Sequence, residues 1–230
     1  MSERTGCMVA IDGPAGAGKS TVARGVAERA GCTYIDTGAM YRAVAYRALR
    51  AGLRVGADDD AIGALAGELE FEFRDVGGAG HLFVAGDDVE GPIRTPEVAN
   101  LSSPVSAIPA VREHLVAAQR RMAQTRPVVM EGRDIGTVVF PDALLKVFLT
   151  ASAEERARRR CEQLRERGED VSFEQILADQ RARDERDSTR AIAPLRRAED
   201  AVEVCSEGMS AEEVIERVVE LLRERLGESG

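Results

Sequence analysis

The 230-residue chain is 44% hydrophobic and 31% charged, with a formal net charge of −9 at pH 7. These values exclude wholesale disorder, and the length allows one large domain, or one domain carrying an insertion, around a substantial core. The acidic balance argues against nonspecific attraction to nucleic acid or anionic membrane, and no apolar run approaches the length that spans a bilayer.

Met1 to Gly6 is short and polar, and the first apolar run, Cys7 to Ile11, is too short for a signal-peptide core. A cytoplasmic protein is expected. The cysteines, Cys7, Cys32, Cys161 and Cys205, form no Cys-x-x-Cys pair, and His81 and His114 are the only imidazoles. Neither a zinc site nor a disulfide framework is expected. Cys7, Cys32 and Cys205 fall in apolar strand-like runs, where free thiols are commonly buried.

In chain order, residues 7–12 read as a short apolar strand, broken by Gly13 to Gly18. Residues 19–30 follow with helical spacing of Val22, Val26 and Ala30, and Gly31 stands where a left-handed cap ends a helix. Residues 32–35 read as a second strand. Residues 38–50 read as a helix with Met40, Val44 and Leu49 on its apolar side. The pattern changes after Gly52. Asp58 to Asp60 start a short helix, and residues 69–74 and 81–85 read as a hairpin across a glycine-rich turn. Residues 96–105 and 109–125 are helical in spacing.

Short uninterrupted apolar strands then return at 127–131 and 144–149. Arginine-rich helices follow at about 152–167 and 172–190, then a strand at 201–205 and an amphipathic helix at 210–226. The expectation is an α/β three-layer core with a parallel central sheet. The core spans 1–55 and 107–230, the inserted subdomain 56–106, and an arginine-rich helical lid about 152–172.

Gly13-Pro14-Ala15-Gly16-Ala17-Gly18-Lys19-Ser20 fits Gly-x-x-x-x-Gly-Lys-Ser/Thr, between a strand and a helix, where a phosphate-binding loop belongs. Glycines let successive N–H groups turn inward onto phosphate oxygens, and the helix end adds positive potential. Lys19 is placed for the β- and γ-phosphates and Ser20 for Mg²⁺, with Thr21 close behind. ATP and Mg²⁺ are the implied cofactors. With only Lys19 and Lys146 as lysines, the chain has no Asn-Lys-x-Asp motif of a guanine-nucleotide switch.

In open α/β sheets the carboxyl ends of the strands open onto the ligand crevice. Asp36-Thr37-Gly38-Ala39-Met40-Tyr41-Arg42 follows the second strand, where Thr37 and Arg42 suit a phosphate. Glu131-Gly132-Arg133-Asp134 follows the third. There a carboxylate suits a metal-bound water, a guanidinium forks onto phosphate, and Asp134 suits an exocyclic amine. Arg183, Asp187 and Arg190 share one helix face, either as a solvated ion-paired face or as a grip on phosphate and ribose. Arg156, Arg158, Arg159 and Arg160 pose the same choice, and some of the four must face solvent because consecutive helical residues diverge.

Together these motifs resemble bacterial cytidylate kinases. The resemblance runs in order through IDGPAGAGKST, IDTGAMYR, GDDVEGPIRTPEVANLSSPVS, EGRDIGTVVFPDA and RDERDSTRAIAPL. It implies ATP binding by Gly13 to Thr21, and an acceptor phosphate held by Thr37, Arg42 and Arg133. It further implies cytosine read by Ser103, Arg112 and Asp134, sugar contacts from Arg183 and Asp187, and phosphate contacts from Arg190. Tyr41 belongs to the same substrate set, and Arg159 or Arg160 approaches the transferred group. Catalytic roles then fall to Lys19, Arg133, Arg190 and Arg159, and metal contact to Ser20 and Glu131. Many relatives carry Asp where this chain has Glu131. The implied substrates are CMP and dCMP, with UMP weaker; a monomer with no nucleic-acid or membrane partner is expected. A P-loop kinase for a shikimate-type acid and a nucleotide-dependent regulatory module remain the rival readings.

Overall fold

The computed structural model describes residues 8–77, 79–166 and 168–227. Cys7 and the start of the 7–12 strand lie outside them.

The first unit holds the parallel sheet. The strands of that sheet are β1 (Met8–Asp12), β2 (Thr33–Asp36, whose last two residues begin the second unit), β6 (Val128–Gly132), β7 (Leu145–Thr150) and β8 (Val202–Cys205), in the order β2-β6-β1-β7-β8. β1 runs parallel to both β6 and β7, with Asp12 opposite Gly132 on one side and Phe148 on the other. β1 and β6 are buried along nearly their whole length. That is why they read as apolar runs rather than alternating strands. The register brings the segments after β1 and after β6 to the same sheet edge.

Helices α1 (Lys19–Ala30) and α8 (Ala211–Leu226) cover this sheet with one shared core, in which Val22, Val26, Val218 and Leu222 pack with Val9, Val129 and Val147. α8 starts at a capping box, Ser210 with Glu213, and ends at Gly227 in the left-handed conformation. α6 (Ala153–Glu166) and α7 (Phe173–Thr189) complete the unit. The expected α/β fold with a parallel central sheet is the observed one.

The second unit is Ile35–Thr125. It contains α2 (Thr37–Arg50), α3 (Asp59–Glu68), α4 (Pro96–Val105) and α5 (Pro109–Met122). The sheet β3 (Phe71–Val76), β4 (Ala79–Val84) and β5 (Asp87–Asp88) completes it. Its own core joins Met40, Val44, Ile62, Leu82, Ile93, Val98 and Leu115. This unit is wider than the expected 56–106 stretch, because α2 and α5 pack into the insertion's core.

Three readings need correction. Leu49 is 37% exposed, and Ala48 faces the core instead; one residue is about 100° of helix. Cys205 is exposed because β8 is the edge strand and buries only Val204, whereas Cys161 on α6 is the buried thiol among the described residues. The hairpin carries a third short strand, β5, which two residues could not announce.

Gly63 on α3 faces α5 closely: a Cβ there would lie 2.6 Å from the Cβ of Ala110. Neither atom sits on a flexible chain, so the helices must part. Gly63→Ala should lower the unfolding free energy by about 1–3 kcal/mol of overpacking, offset in part by about 1 kcal/mol of helix propensity. Urea titration measures the net loss; a more stable variant would mean the helices separate freely.

Candidate active site

The phosphate loop leaves β1 at Gly13, whose φ is +149° and whose absent Cβ would lie 2.1 Å from the Leu149 carbonyl oxygen of β7. Only glycine passes there. Gly18, at the start of α1, offers no capping side chain. The N–H groups of the first turn are therefore not capped by its side chain, as an anion cradle needs. Lys19 is buried and donates from Nζ to the Pro14 carbonyl at 2.7 Å. Burial, reinforced by the Arg133 guanidinium and opposed by the Glu131 carboxylate, lowers its pKa to about 7. Ser20 and Thr21 are exposed.

At the same edge, the turn after β6 meets the C-terminal half of α7. Arg133 Nε donates to Asp187 Oδ2 at 3.0 Å, and Arg133 Nη1 to the Gly132 carbonyl at 3.2 Å. Arg190 Nη2 lies 3.7 Å from Asp134 Oδ1, and its Nε donates to the Ala193 carbonyl at 2.6 Å. Asp187 is buried. Burial alone would raise its pKa, but the guanidiniums of Arg133, Arg183 and Arg190 outweigh that and hold it below the ordinary value. The Arg183–Asp187–Arg190 face is therefore a folded part of this network rather than a solvated one.

Two members of this region escaped the sequence reading. The Tyr34 hydroxyl donates to Glu131 Oε1, a contact that depends on β2 lying beside β6. Asp12, also buried, accepts from the N–H groups of Ile135 and Gly136. Burial raises its pKa to about 6 even against those two bonds.

The arginines at 156, 158, 159 and 160 of α6 separate clearly. Arg156 is buried, and its guanidinium donates to the Ala15 carbonyl at 2.9 Å, to the Ala151 carbonyl, and to both oxygens of Asp184. It is the α6 arginine whose side chain touches the phosphate loop. Arg159 donates to Glu155 and to the hydroxyl and carbonyl of Ser206, whose hydroxyl in turn donates to the Ala17 carbonyl. In this structure the Arg159 guanidinium is thus held by Glu155 and Ser206. Arg158 and Arg160 are exposed.

The second unit carries a set of its own. Asp36 uses Oδ1 to cap α2 through the Ala39 N–H and Oδ2 to hold Arg42 at 2.9 Å. Burial would raise the Asp36 pKa, but Arg42 and Arg94 override it and lower it. Thr37 is buried at the first residue of α2. Arg112 is buried on α5, with its guanidinium 5.8 Å from the Tyr41 ring centre. Ser103, on α4, accepts from the Ser106 hydroxyl through its carbonyl.

No group of three or more His, Cys, Asp or Glu side chains placed to hold a metal occurs among the described residues. The donor set suits a different kind of metal site. Ser20 offers an accessible hydroxyl and Glu131 a buried carboxylate within electrostatic reach of Lys19. That fits an ion arriving on phosphate oxygens and keeping several waters, as Mg²⁺ does.

A parallel sheet whose first strand runs through a glycine loop into a helix beginning Lys-Ser defines a P-loop phosphate-binding protein. The cytidylate kinase family model matches residues 9–224. The chain is 50% identical to the cytidylate kinase of Geobacter sulfurreducens over 96% of this chain and 95% of that one. It is 49% identical to that of Mycobacterium leprae over 97% and 98%. An uncharacterised protein of Eubacterium ventriosum shares the fold, with a TM-score of 0.52 at 11% identity, covering 95% of this chain and 98% of that one. The chain belongs to the cytidylate kinase family.

Because Lys19 has a pKa of about 7 without a ligand, a bound polyphosphate should raise that value and draw in a proton. Calorimetry of ATP binding at pH 8, in buffers of different ionisation enthalpy, should report uptake approaching one proton, falling toward zero at pH 5. Lys19→Met should abolish the uptake. Buffer-independent heats in the unmodified protein would contradict the lowered pKa.

Proposed function

We propose that the protein transfers the γ-phosphoryl group of ATP to CMP and dCMP, and more slowly to UMP. The observation that carries this reading is the gathering of Lys19, Arg133, Asp134, Asp187 and Arg190 around one sheet edge beside the glycine loop, in a chain of this family. A shikimate-type acceptor and a purely regulatory role find no support in the family or in its relatives' names.

Phosphoryl transfer asks the protein mainly to align two anions and to offset the charge that spreads over the transferred group. Gly13 to Thr21 take the donor's phosphates through backbone N–H groups, Lys19 and the Thr21 hydroxyl. Ser20 and Glu131 are the residues suited to hold Mg²⁺, Glu131 by way of a metal-bound water; the ion would neutralise charge between the phosphates. Arg133 and Arg190 are assigned to the acceptor phosphate, as are Thr37 and Arg42 in the second unit. The attacking phosphate oxygen is already ionised, so no side chain has to remove a proton.

Base choice rests on Asp134, with Ser103 and Arg112 as the further base-reading residues and Tyr41 beside Arg112. A carboxylate accepts from the exocyclic amine of cytosine, and uracil has no donor at that position. Arg183 and Asp187 are assigned to the sugar. Asp187 does more than that, since its pairing with Arg133 holds that guanidinium in place before substrate arrives. Arg159 or Arg160 is assigned to approach the transferred group, while Arg156 supports the shape of the loop.

A coupled ADP-release assay across CMP, dCMP, UMP, AMP and GMP should rank the cytidine nucleotides first and UMP behind them. Faster turnover of AMP than of CMP would defeat the assignment. Arg190→Ala should lower kcat by about 10³-fold or more if its guanidinium offsets transition-state charge; near-normal turnover would remove it from the mechanism.

A further inference from the structure

Asp12 is a buried carboxylate to which neither the loop motif nor the family resemblance gives a task. Both of its oxygens are occupied: Oδ1 accepts from the Ile135 N–H at 2.8 Å, and Oδ2 from the Gly136 N–H at 2.7 Å. These two N–H groups open the π-helical turn Ile135–Val139, which has no capping side chain of its own. The cap comes instead from β1, across the sheet. Gly136 lies close to both Asp12 and Lys146: a Cβ there would be 3.4 Å from Oδ2 and 3.2 Å from the Lys146 side chain.

The position of this clasp gives it a meaning. The residue after Asp12 is Gly13, where the phosphate loop starts, and the residues before the capped turn are Arg133 and Asp134. β1 and β6 end side by side, Asp12 opposite Gly132, but strand pairing stops there. Beyond it, Asp12 makes a side-chain link from the base of the donor loop to the turn that carries Arg133 and Asp134.

We propose that Asp12 is a positioning residue, whose paired acceptance of the Ile135 and Gly136 N–H groups aims Arg133 and Asp134 at the acceptor nucleotide. The proposal rests on the reading that those two residues bind the acceptor. A carboxylate suits the task because it is acceptor-only and can receive two parallel backbone donors. Asparagine has nearly the same shape but turns one acceptor into a donor, which would face an N–H group.

Asp12→Asn in the full chain should act on the turn and on the acceptor, and leave the donor alone. Amide hydrogen exchange should quicken across residues 133–139. The KM for CMP should rise by about tenfold or more, the cost of at least one charge-assisted bond. The preference for CMP over UMP should shrink, while the ATP Kd stays within about twofold. Unchanged exchange at 133–139 would overturn the proposal, as would a KM for CMP equal to the unmodified protein's. Parallel losses of ATP and CMP affinity would also overturn it, since they would make Asp12 a support of the loop alone. Should Asp12→Asn fail to fold, Asp12→Ser keeps one acceptor and is judged by the same measurements. If the unmodified protein does not turn over CMP, the functional reading fails by itself, and the exchange of 133–139 still decides whether Asp12 holds the turn.

Discussion

The backbone of Gly13 passes so close to the Leu149 carbonyl of β7 that a methyl group between them would sit 2.1 Å from that oxygen. This approach lets the chain turn at the end of β1 instead of running on past the sheet edge. The N–H groups of the loop then curl ahead of α1, and Lys19 lands in a buried position with its ammonium on Pro14. A larger residue at 13 would push the loop away from β7, and with it the cradle, the lysine and the first turn of the helix.

A buried lysine is unfavourable in isolation, and its lowered pKa records that cost. The surroundings do not simply neutralise it, since Arg133 adds positive charge and Glu131 offsets it. An anion entering beside Lys19 would favour its charged form. The rest of the edge follows the same logic. Arg133 and Arg190 are not left to solvent but are held by Asp187, by Asp134 and by backbone carbonyls. Long cationic side chains fixed in this way lose less freedom on meeting a phosphate than mobile ones do. Arg156 shows the structural version of the same chemistry: its donors meet two carbonyls and a carboxylate, so its charge supports the loop's shape.

Much of this was legible before any coordinates. Periodicity located nearly all the helices and strands, because buried parallel strands are continuous apolar runs and helices such as α8 are amphipathic. The errors were local and had local causes. Leu49 and Ala48 differ by one residue of helix rotation, and hydrophobicity favoured the wrong one. Cys205 sits in an apolar string but on an edge strand. The insertion was drawn too narrowly because α2 reads as an ordinary helix of the α/β core, although its buried face belongs to the other unit's cluster.

The sequence by itself determined the loop, the lysine, the charged turns after β2 and β6, and the family, because glycine spacing and motif order are one-dimensional properties. It could not say which of four neighbouring arginines touches the loop: Arg156 and Arg159 lie three residues apart, and their partners, Asp184 and Ser206, come from distant segments. Nor could it show that Tyr34 meets Glu131 or that Asp12 caps a turn more than a hundred residues later. Those contacts exist only once the sheet sets β2, β6 and β1 side by side, and that order is a property of the folded sheet.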